Sequence, residues 1–154
     1  MIEFAERLCY TEKMNDIIYT WVTDRAPLEE ISNNPKYEWP HNFEYFEELI
    51  HLKRALVAHA EGRPVGYLLF QVLWGNTPFL SQIWIDESQQ GKGVGKQMVS
   101  MLEERLKNEK YDTLTTSNEV SNGAGVGFVS KIGFKTIGTL EMDHGPEVFS
   151  LKKL

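Results

Sequence analysis

Three closely spaced glycines join an apolar segment to an amphipathic one, and this feature most constrains what the chain can fold into. The apolar segment is residues 79–85, the glycines are Gly91, Gly93 and Gly95, and the amphipathic pattern covers residues 93–107. Apolar side chains recur there at helical spacing. Because glycine adopts backbone angles that other residues avoid, the sequence predicts a strand that enters a tight loop and continues directly into a helix.

The predicted loop has the properties of a phosphate-binding site. The first turn of a helix leaves about four backbone N–H groups unpaired, at the positive end of the helix dipole. Lys92 and Lys96 add positive charge. The dinucleotide motif fails because position 96 is lysine, and the P-loop motif fails because Gly93 and Gln97 follow the two Gly-Lys pairs. The alternative is that the glycines form only a turn.

The rest of the pattern predicts a mixed α/β fold in a single domain, residues 1–154. Residues 25–42 contain three prolines and are predicted to be mostly loop. The predicted order of elements is β-α-α-β-β-β-α-β-α-β-β. Strands are expected over residues 2–8, 54–60, 65–73, 79–85, 113–117, 134–142 and 147–151. Helices are expected over residues 12–23, from Asn42, over 93–107 and over 121–132.

Composition excludes several classes of partner. The chain has 16 basic and 22 acidic residues, whereas nucleic-acid binding normally needs clustered basic residues. No apolar run approaches the ~18 residues of a membrane span. The single cysteine, Cys9, cannot form an internal disulfide, and acids occupy the N-terminus where a signal peptide carries basic residues. We therefore expect a cytoplasmic protein without nucleic-acid or membrane partners, and the four histidines lack the spacing of a metal site.

Two segments resemble those of one known family. Gln90-x-x-Gly93-x-Gly95 after a strand resembles the pyrophosphate-binding motif of the GNAT superfamily, the acyl-CoA-dependent N-acetyltransferases. Asn122, followed by Phe-Val-Ser-Lys-Ile-Gly-Phe at residues 128–134, resembles the family's Asn-containing helix that ends in Lys-x-Gly-Phe. The separation of the two segments and the order of elements also match. The resemblance implies a mostly antiparallel central sheet flanked by helices, with acetyl-CoA as co-substrate and no metal.

The resemblance also implies roles for individual residues. Backbone groups of residues 83–85 would pair with the pantetheine arm, N–H groups of residues 90–96 would hold the pyrophosphate, and Asn122 would contact the far side of the pantetheine. The strands over 79–85 and 113–117 would splay apart and leave a slot for the thioester. The implied cofactor-binding residues are Ile83, Trp84, Ile85, Gln90, Gly91, Lys92, Gly93, Val94, Gly95, Lys96 and Asn122.

The catalytic residues are not identified by the sequence. The implied reaction is direct attack of an amine on the acetyl thioester, and the amine must first lose a proton. Many family members carry a tyrosine at the position of Val129 to protonate the departing thiolate. Glu119 and His144 are candidates for proton transfer, with a helix-entry acid and a turn residue as the alternatives. Tyr45 or Tyr67 could supply a donor, and a water relay is equally compatible.

The first third of the chain predicts the kind of acceptor. Residues 28–48 contain six glutamates and one base, Lys36, and negative surfaces attract cations. With Trp39 and Tyr45 as candidates for acceptor binding, we expect acetyl transfer to the primary amine of a small cationic molecule. The alternatives are a protein N-terminal or lysine acetyltransferase and a non-catalytic CoA-binding module, and a homodimer is possible.

Overall fold

The computed structural model describes residues 11–38 and 46–154. Trp39 and Tyr45, the candidates for acceptor binding, therefore lie outside the described residues, as do Cys9, Asn42 and the strand predicted over residues 2–8. In the part of the chain that is described, no helix is long and apolar enough to cross a membrane.

Strands and helices follow one another along the described chain in the order β-β-α-α-β-β-β-α-β-α-β-β. The strands are β1 (Thr11–Met14), β2 (Ile17–Trp21), β3 (Ala55–Ala60), β4 (Arg63–Leu73), β5 (Thr77–Ile85), β6 (Thr113–Glu119), β7 (Lys135–Met142) and β8 (Gly145–Lys153). The helices are α1 (Ala26–Ser32), α2 (Glu47–His51), α3 (Val94–Asn108) and α4 (Gly123–Lys131), and a 3₁₀ turn covers Glu87–Gln89.

Hydrogen bonding orders the described strands as β1-β2-β3-β4-β5-β6-β8-β7. The β1–β2, β2–β3, β3–β4, β6–β8 and β7–β8 pairings are antiparallel, and the β5–β6 pairing is parallel. The predicted fold class, a mixed and mostly antiparallel sheet with flanking helices, is confirmed. The helix predicted over 93–107 corresponds to α3, and the last predicted hairpin corresponds to β7 and β8.

The helix predicted over residues 12–23 is wrong, because this segment is the β1–β2 hairpin. The turn residues Asn15 and Asp16 have φ angles of 50° and 64°, the left-handed conformations that a two-residue hairpin turn requires. Ile17, Tyr19 and Trp21 are buried at every second position. Their alternation buries one face of a strand, and it outweighs the helical spacing that the same segment also shows.

The segment predicted as mostly loop, residues 25–42, contains α1. Pro27 lies at the start of this helix, where its missing N–H costs nothing and its fixed φ favours a helix. Leu28 and Ile31 are buried from the inner face of α1. The helix predicted from Asn42 is present in the described residues as the short helix α2.

The described residues fall into two compact units. Unit 1 comprises the residues up to Phe70 together with Gln82–Val99, and unit 2 comprises Gln71–Ser81 and Ser100–Leu154. The core of unit 1 is an apolar cluster in which α1 and α2 contribute side chains along with β3 and β4. Burial of each large side chain stabilises it by roughly 1.5–3 kcal/mol. Its buried members are Val22, Leu28, Ile31, Phe46, Ile50, Ala55, Val57, Tyr67 and Leu69.

Unit 2 is organised around β6. On one side β6 pairs with β8 along its whole length, from Thr113–Lys153 to Glu119–Glu147. On the other side its parallel ladder with β5 consists of two pairs, Phe79–Thr115 and Leu80–Thr116, and both strands continue beyond them. This short ladder agrees with the predicted divergence of the two strands.

The strand β7 is the last in the order of described strands, and all eight of its residues are exposed. Its ladder with β8 passes from Thr136–Ser150 to Gly138–Phe149. Ile137 is therefore an extra residue, a β-bulge, and 60% of its surface is exposed.

Candidate functional site

Asp86 fixes the start of the glycine loop in unit 1. Its Oδ1 accepts hydrogen bonds from the N–H of Ser88 at 2.9 Å and from the Ser88 hydroxyl at 2.6 Å. Its Oδ2 accepts from Asn34 Nδ2 at 2.6 Å. These bonds, those from Ser88 above all, hold the pKa of Asp86 below its ordinary value. The carboxylate thereby connects the segment after α1 to the turn that leads into the loop.

The backbone conformation of the loop requires glycine at two positions. Gly91 and Gly93 have φ angles of 73° and 82°, which side-chain-bearing residues rarely adopt. A Cβ atom added at either position would meet nothing within 4 Å. Among the described residues, nothing therefore covers the backbone at these two glycines, and a ligand can approach it closely.

The helix α3 starts directly after the loop and presents backbone donors there. Its first helical hydrogen bond runs from the N–H of Gln97 to the carbonyl of Gly93, at 3.0 Å. The N–H groups of Val94, Gly95 and Lys96 come before it, in the turn where backbone donors have no acceptor within a helix. The predicted residues 90–96 thus form one continuous loop and first helical turn, with Lys92 and Lys96 exposed.

Residues 83–85 are half-buried at the end of β5. The carbonyl of Ile85 accepts a hydrogen bond from Gln90 Nε2 at 3.0 Å, so this predicted cofactor-binding side chain folds back onto the strand. Gly66 of β4 allows a close approach: an added Cβ would lie 2.8 Å from Ile85 Cδ1 and 3.0 Å from the carbonyl oxygen of Trp84.

A chain of hydrogen-bonded hydroxyl and amide groups lies beside this segment in unit 1. Tyr67, which is fully buried, donates to Gln82 Oε1 at 3.1 Å, and its hydroxyl lies 2.9 Å from that of Tyr37. Trp84 makes an edge contact with Tyr37, with ring centroids 5.4 Å apart. Burial raises the pKa of both tyrosines. Tyr67 was one of two predicted donors, and its hydroxyl proton is directed to Gln82.

In unit 2, Asn122 caps α4. Its Oδ1 accepts from the N–H of Gly125 at 2.9 Å. A Cβ on Gly125 would come within 2.6 Å of Asn122 Nδ2 and 2.7 Å of Asn118 Nδ2, whereas Gly123 and Gly127 face open space. Two asparagine amides therefore occupy the space that a side chain at Gly125 would need. Asn118 Oδ1 is buried and has no hydrogen-bond partner in the described structure.

The two predicted proton-transfer candidates, Glu119 and His144, lie at the same end of unit 2. Glu119 ends β6 opposite Glu147 of β8, and His144 Nε2 lies 2.8 Å from Glu147 Oε2. Glu147 Oε1 accepts from the Ser117 hydroxyl at 2.8 Å. Sequence reasoning missed Glu147, although its spacing of three residues from His144 across a hairpin turn was a usable signal.

The pKa of His144 is raised, first by its hydrogen bond to Glu147 and then by the negative charges of Glu147, Glu119 and Asp143.

Val129, at the position where many GNAT members carry tyrosine, is a buried residue of α4. The described residues contain no group of three His, Cys, Asp or Glu side chains that could hold a metal ion.

The structure thus brings the predicted residues together in two groups. Residues 83–85 and 90–96 lie in unit 1, and Asn122, Glu119 and His144 lie in unit 2.

Comparison with known proteins gives a family match over most of the chain. The model of the acetyltransferase (GNAT) family matches residues 16–134. Among curated proteins, none matches this sequence significantly.

Solved structures resemble the fold at low sequence identity. Ard1 from Thermoplasma volcanium has a TM-score of 0.78 at 13% identity, over 90% of this chain and 98% of that one. Arabidopsis thaliana Naa50, solved with the bisubstrate analogue CoA-Ac-MVNAL, has a TM-score of 0.74 at 13% identity, over 90% and 99%. A protein from Bacillus anthracis assigned as a streptothricin acetyltransferase, solved with acetyl coenzyme A, has a TM-score of 0.61 at 17% identity. That match covers 65% of this chain and only 61% of the other.

Proposed function

This chain belongs to the GNAT family of acetyltransferases, and on that premise we propose that it transfers an acetyl group from acetyl-CoA to the primary amine of a small cationic acceptor. The observation that carries the proposal is the loop over residues 90–96. Its glycines leave the backbone open to a ligand, and the first turn of α3 directs N–H groups toward it. Such a helix start binds phosphate groups.

The donor groups fit a diphosphate of coenzyme A. Val94, Gly95 and Lys96 supply backbone N–H groups, and the exposed Lys92 and Lys96 side chains supply positive charge. In unit 2, taken by itself, Asn118 Oδ1 has no hydrogen-bond partner among the described residues, and an amide N–H of a ligand bound to that unit would satisfy it. Acetyl-CoA, when bound, supplies an acetyl group activated as a thioester.

The acidic surface of unit 1 supports a cationic acceptor. Glu29 and Glu47 both contact Arg25, at 3.1 Å and 4.0 Å, and Lys36 forms an ion pair with Glu87. The other glutamates of this part of the described chain (Glu30, Glu38 and Glu48) are exposed. The charge balance remains negative, which raises the local concentration of a cationic amine.

The second candidate acceptor is the N-terminal amine of a peptide. It is favoured by the extent of the likeness to Naa50, which was solved with an analogue that joins CoA to a peptide and which matches 90% of this chain. The streptothricin-related structure matches 65%.

Release of free thiol from acetyl-CoA tests the proposal directly. The panel contains spermidine, kanamycin, an amino-acid amide, a peptide with a free N-terminus, and an N-acetylated peptide with one lysine. Fastest release with spermidine or kanamycin supports the small-cation proposal, and fastest release with either peptide overturns it in favour of a protein acceptor. Calorimetric binding of CoA without thiol release on any amine would indicate a non-catalytic binding module.

A further inference from the structure

Glu147 holds two partners at once near the turn of the β7–β8 hairpin. One carboxylate oxygen accepts from Ser117, and the other lies 2.8 Å from His144 Nε2. A carboxylate only accepts hydrogen bonds, so the neutral imidazole keeps its proton on Nε2. The lone pair of His144 is therefore on Nδ1, the ring atom that faces away from the carboxylate bond.

The burial of the pair suits proton transfer. The Glu147 side chain is 14% exposed, whereas the His144 side chain is 50% exposed. The carboxylate is thus shielded and fixed by Ser117, and the imidazole remains accessible to a solute. This arrangement of a largely shielded carboxylate behind an accessible imidazole orients the ring and stabilises its charged form.

The position of Ser117 connects this pair to the strand divergence. The parallel β5–β6 ladder ends at Leu80–Thr116, and Ser117 is the next residue of β6. Ser117 also pairs with Phe149 of β8, whose ring lies 6.4 Å from that of Phe79. Side chains of paired residues lie on the same face of a sheet, so Ser117, Glu147 and Phe149 share the face on which Phe79 of β5 also lies.

We infer that His144 is the general base of the proposed acetyl transfer, and that Glu147 and Ser117 are positioning residues that fix its ring. The inference rests on the proposed function and adds the proton acceptor that the sequence left open. The strand β5 itself contains no carboxylate that could act as the base.

The proton and bond changes balance without a further reactant. The ammonium form of the acceptor gives one proton to His144 Nδ1 and becomes the nucleophile. Its nitrogen forms a bond to the thioester carbonyl carbon, and the carbon–sulfur bond breaks as the tetrahedral species collapses. The second nitrogen proton leaves with the CoA sulfur as the free thiol, and His144 returns its proton to solvent.

The charged groups around His144 set the direction of its pH dependence. Glu147, Glu119 and Asp143 all favour the imidazolium form. A base acts only when neutral, so the rate rises with pH through the pKa of His144. Removing the charge of Glu147 lowers that pKa, and the acidic limb of the rate profile then moves to lower pH.

The test compares three variants with the wild-type chain, using the amine of the panel above that releases most thiol. We expect His144→Gln to lower kcat by about 100-fold or more with unchanged CoA affinity. Glu147→Gln is expected to lower kcat about 10-fold and to move the acidic limb to lower pH. Glu141→Gln removes a charge from an exposed residue of the same hairpin, and both kcat and the limb should stay as in the wild-type chain.

Two outcomes overturn the inference while the proposed function stands. One is an active wild-type chain with His144→Gln within about 3-fold of it. The other is a loss of activity in Glu147→Gln with no movement of the acidic limb, which is the result expected of a merely structural contact. If the wild-type chain binds CoA and releases no thiol with any amine, the proposed function itself is contradicted, and the inference that rests on it falls as well. Circular dichroism of each variant confirms that it is folded.

Discussion

The hydroxyl groups of Tyr37 and Tyr67 lie 2.9 Å apart, and Tyr67 also donates to Gln82. A residue between α1 and α2, a residue of β4 and a residue of β5 therefore share one chain of hydrogen bonds. Because Tyr67 is fully buried, its hydroxyl is shielded from bulk water. The chain fixes the orientation of the Gln82 amide, two residues before Trp84, and so contributes to the rigidity of unit 1.

Replacing Tyr67 with phenylalanine should lower the free energy of unfolding by about 1–3 kcal/mol, because Gln82 Oε1 then loses its buried donor. Urea unfolding measures this change. Tyr111→Phe, at a half-buried tyrosine of unit 2, is the control and should change stability by less than about 0.5 kcal/mol. Equal effects of the two substitutions would show that the hydrogen-bond chain contributes nothing specific.

The same tyrosine predicts a response to alkaline pH. The pKa of Tyr67 is raised above its ordinary value of 10.0 in the folded state. Above that pH the unfolded chain releases the proton and the folded chain retains it, so stability falls as pH rises, by up to about 1.4 kcal/mol per pH unit for this group. Between about pH 9 and about pH 11, the free energy of unfolding should fall less steeply with pH for Tyr67→Phe than for the wild-type chain.

Gly93→Glu should abolish measurable CoA binding. Its side chain adds bulk and negative charge to a loop backbone that is otherwise open, and like charges brought together cost several kcal/mol. Gly93→Ala carries the same backbone strain, about 1–2 kcal/mol at a positive φ, without the charge. Calorimetry should show a loss of at least about 100-fold in affinity for the glutamate variant relative to the alanine variant. Matched affinities would place the phosphates elsewhere.

Two glycines of α4 should respond in opposite directions to alanine. Gly125→Ala forces the Asn122 amide aside and weakens the helix cap, which costs about 0.5–2 kcal/mol. Gly127→Ala meets nothing within 4 Å and should stabilise the chain by about 0.5–1 kcal/mol, since alanine is the better helix former. Thermal unfolding of the two variants shows whether each substitution stabilises or destabilises the chain. Stabilisation by both would contradict the packing of Asn118 and Asn122 against this helix.

Asp86→Ala should lower the free energy of unfolding by about 1–2 kcal/mol, because Ser88 and Asn34 lose their acceptor. The pKa of Asp86 is below its ordinary value of 3.8 in the folded state. Its contribution is therefore complete above that pH and is lost as pH falls through the lower, folded-state pKa. Glu87→Gln, which removes only an exposed ion pair with Lys36, is the control and should lower stability much less than Asp86→Ala. The free energy of unfolding, measured as the pH is lowered, distinguishes the two variants.

The sequence predicts best the elements in which neighbouring residues all indicate the same structure. In α3 the amphipathic stripe and the preceding glycines indicate the same boundary, and the structure places it at Val94. In residues 12–23 the signals conflict. Apolar spacing there fits a helix, whereas the Asn15–Asp16 pair fits a hairpin turn, and burial of Ile17, Tyr19 and Trp21 decides for the strand.

The geometry of the candidate site was predictable only in the part that one loop builds. Residues 90–96 are consecutive, so the spacing of their glycines in the sequence is enough to predict the loop. The Tyr37–Tyr67–Gln82 chain joins residues far apart in sequence, and only the packed fold brings them together. The Glu147–His144 contact is local, but it depends on how the β7–β8 turn directs two side chains, which residue types alone do not specify.

The bulge at Ile137 has a consequence for self-association. The outer edge of β7 carries exposed apolar side chains, as in strands that template fibrils. An incoming strand of regular spacing cannot match a ladder interrupted by an inserted residue. A regular cross-β ladder that grew from this hairpin would therefore lose its register at Ile137.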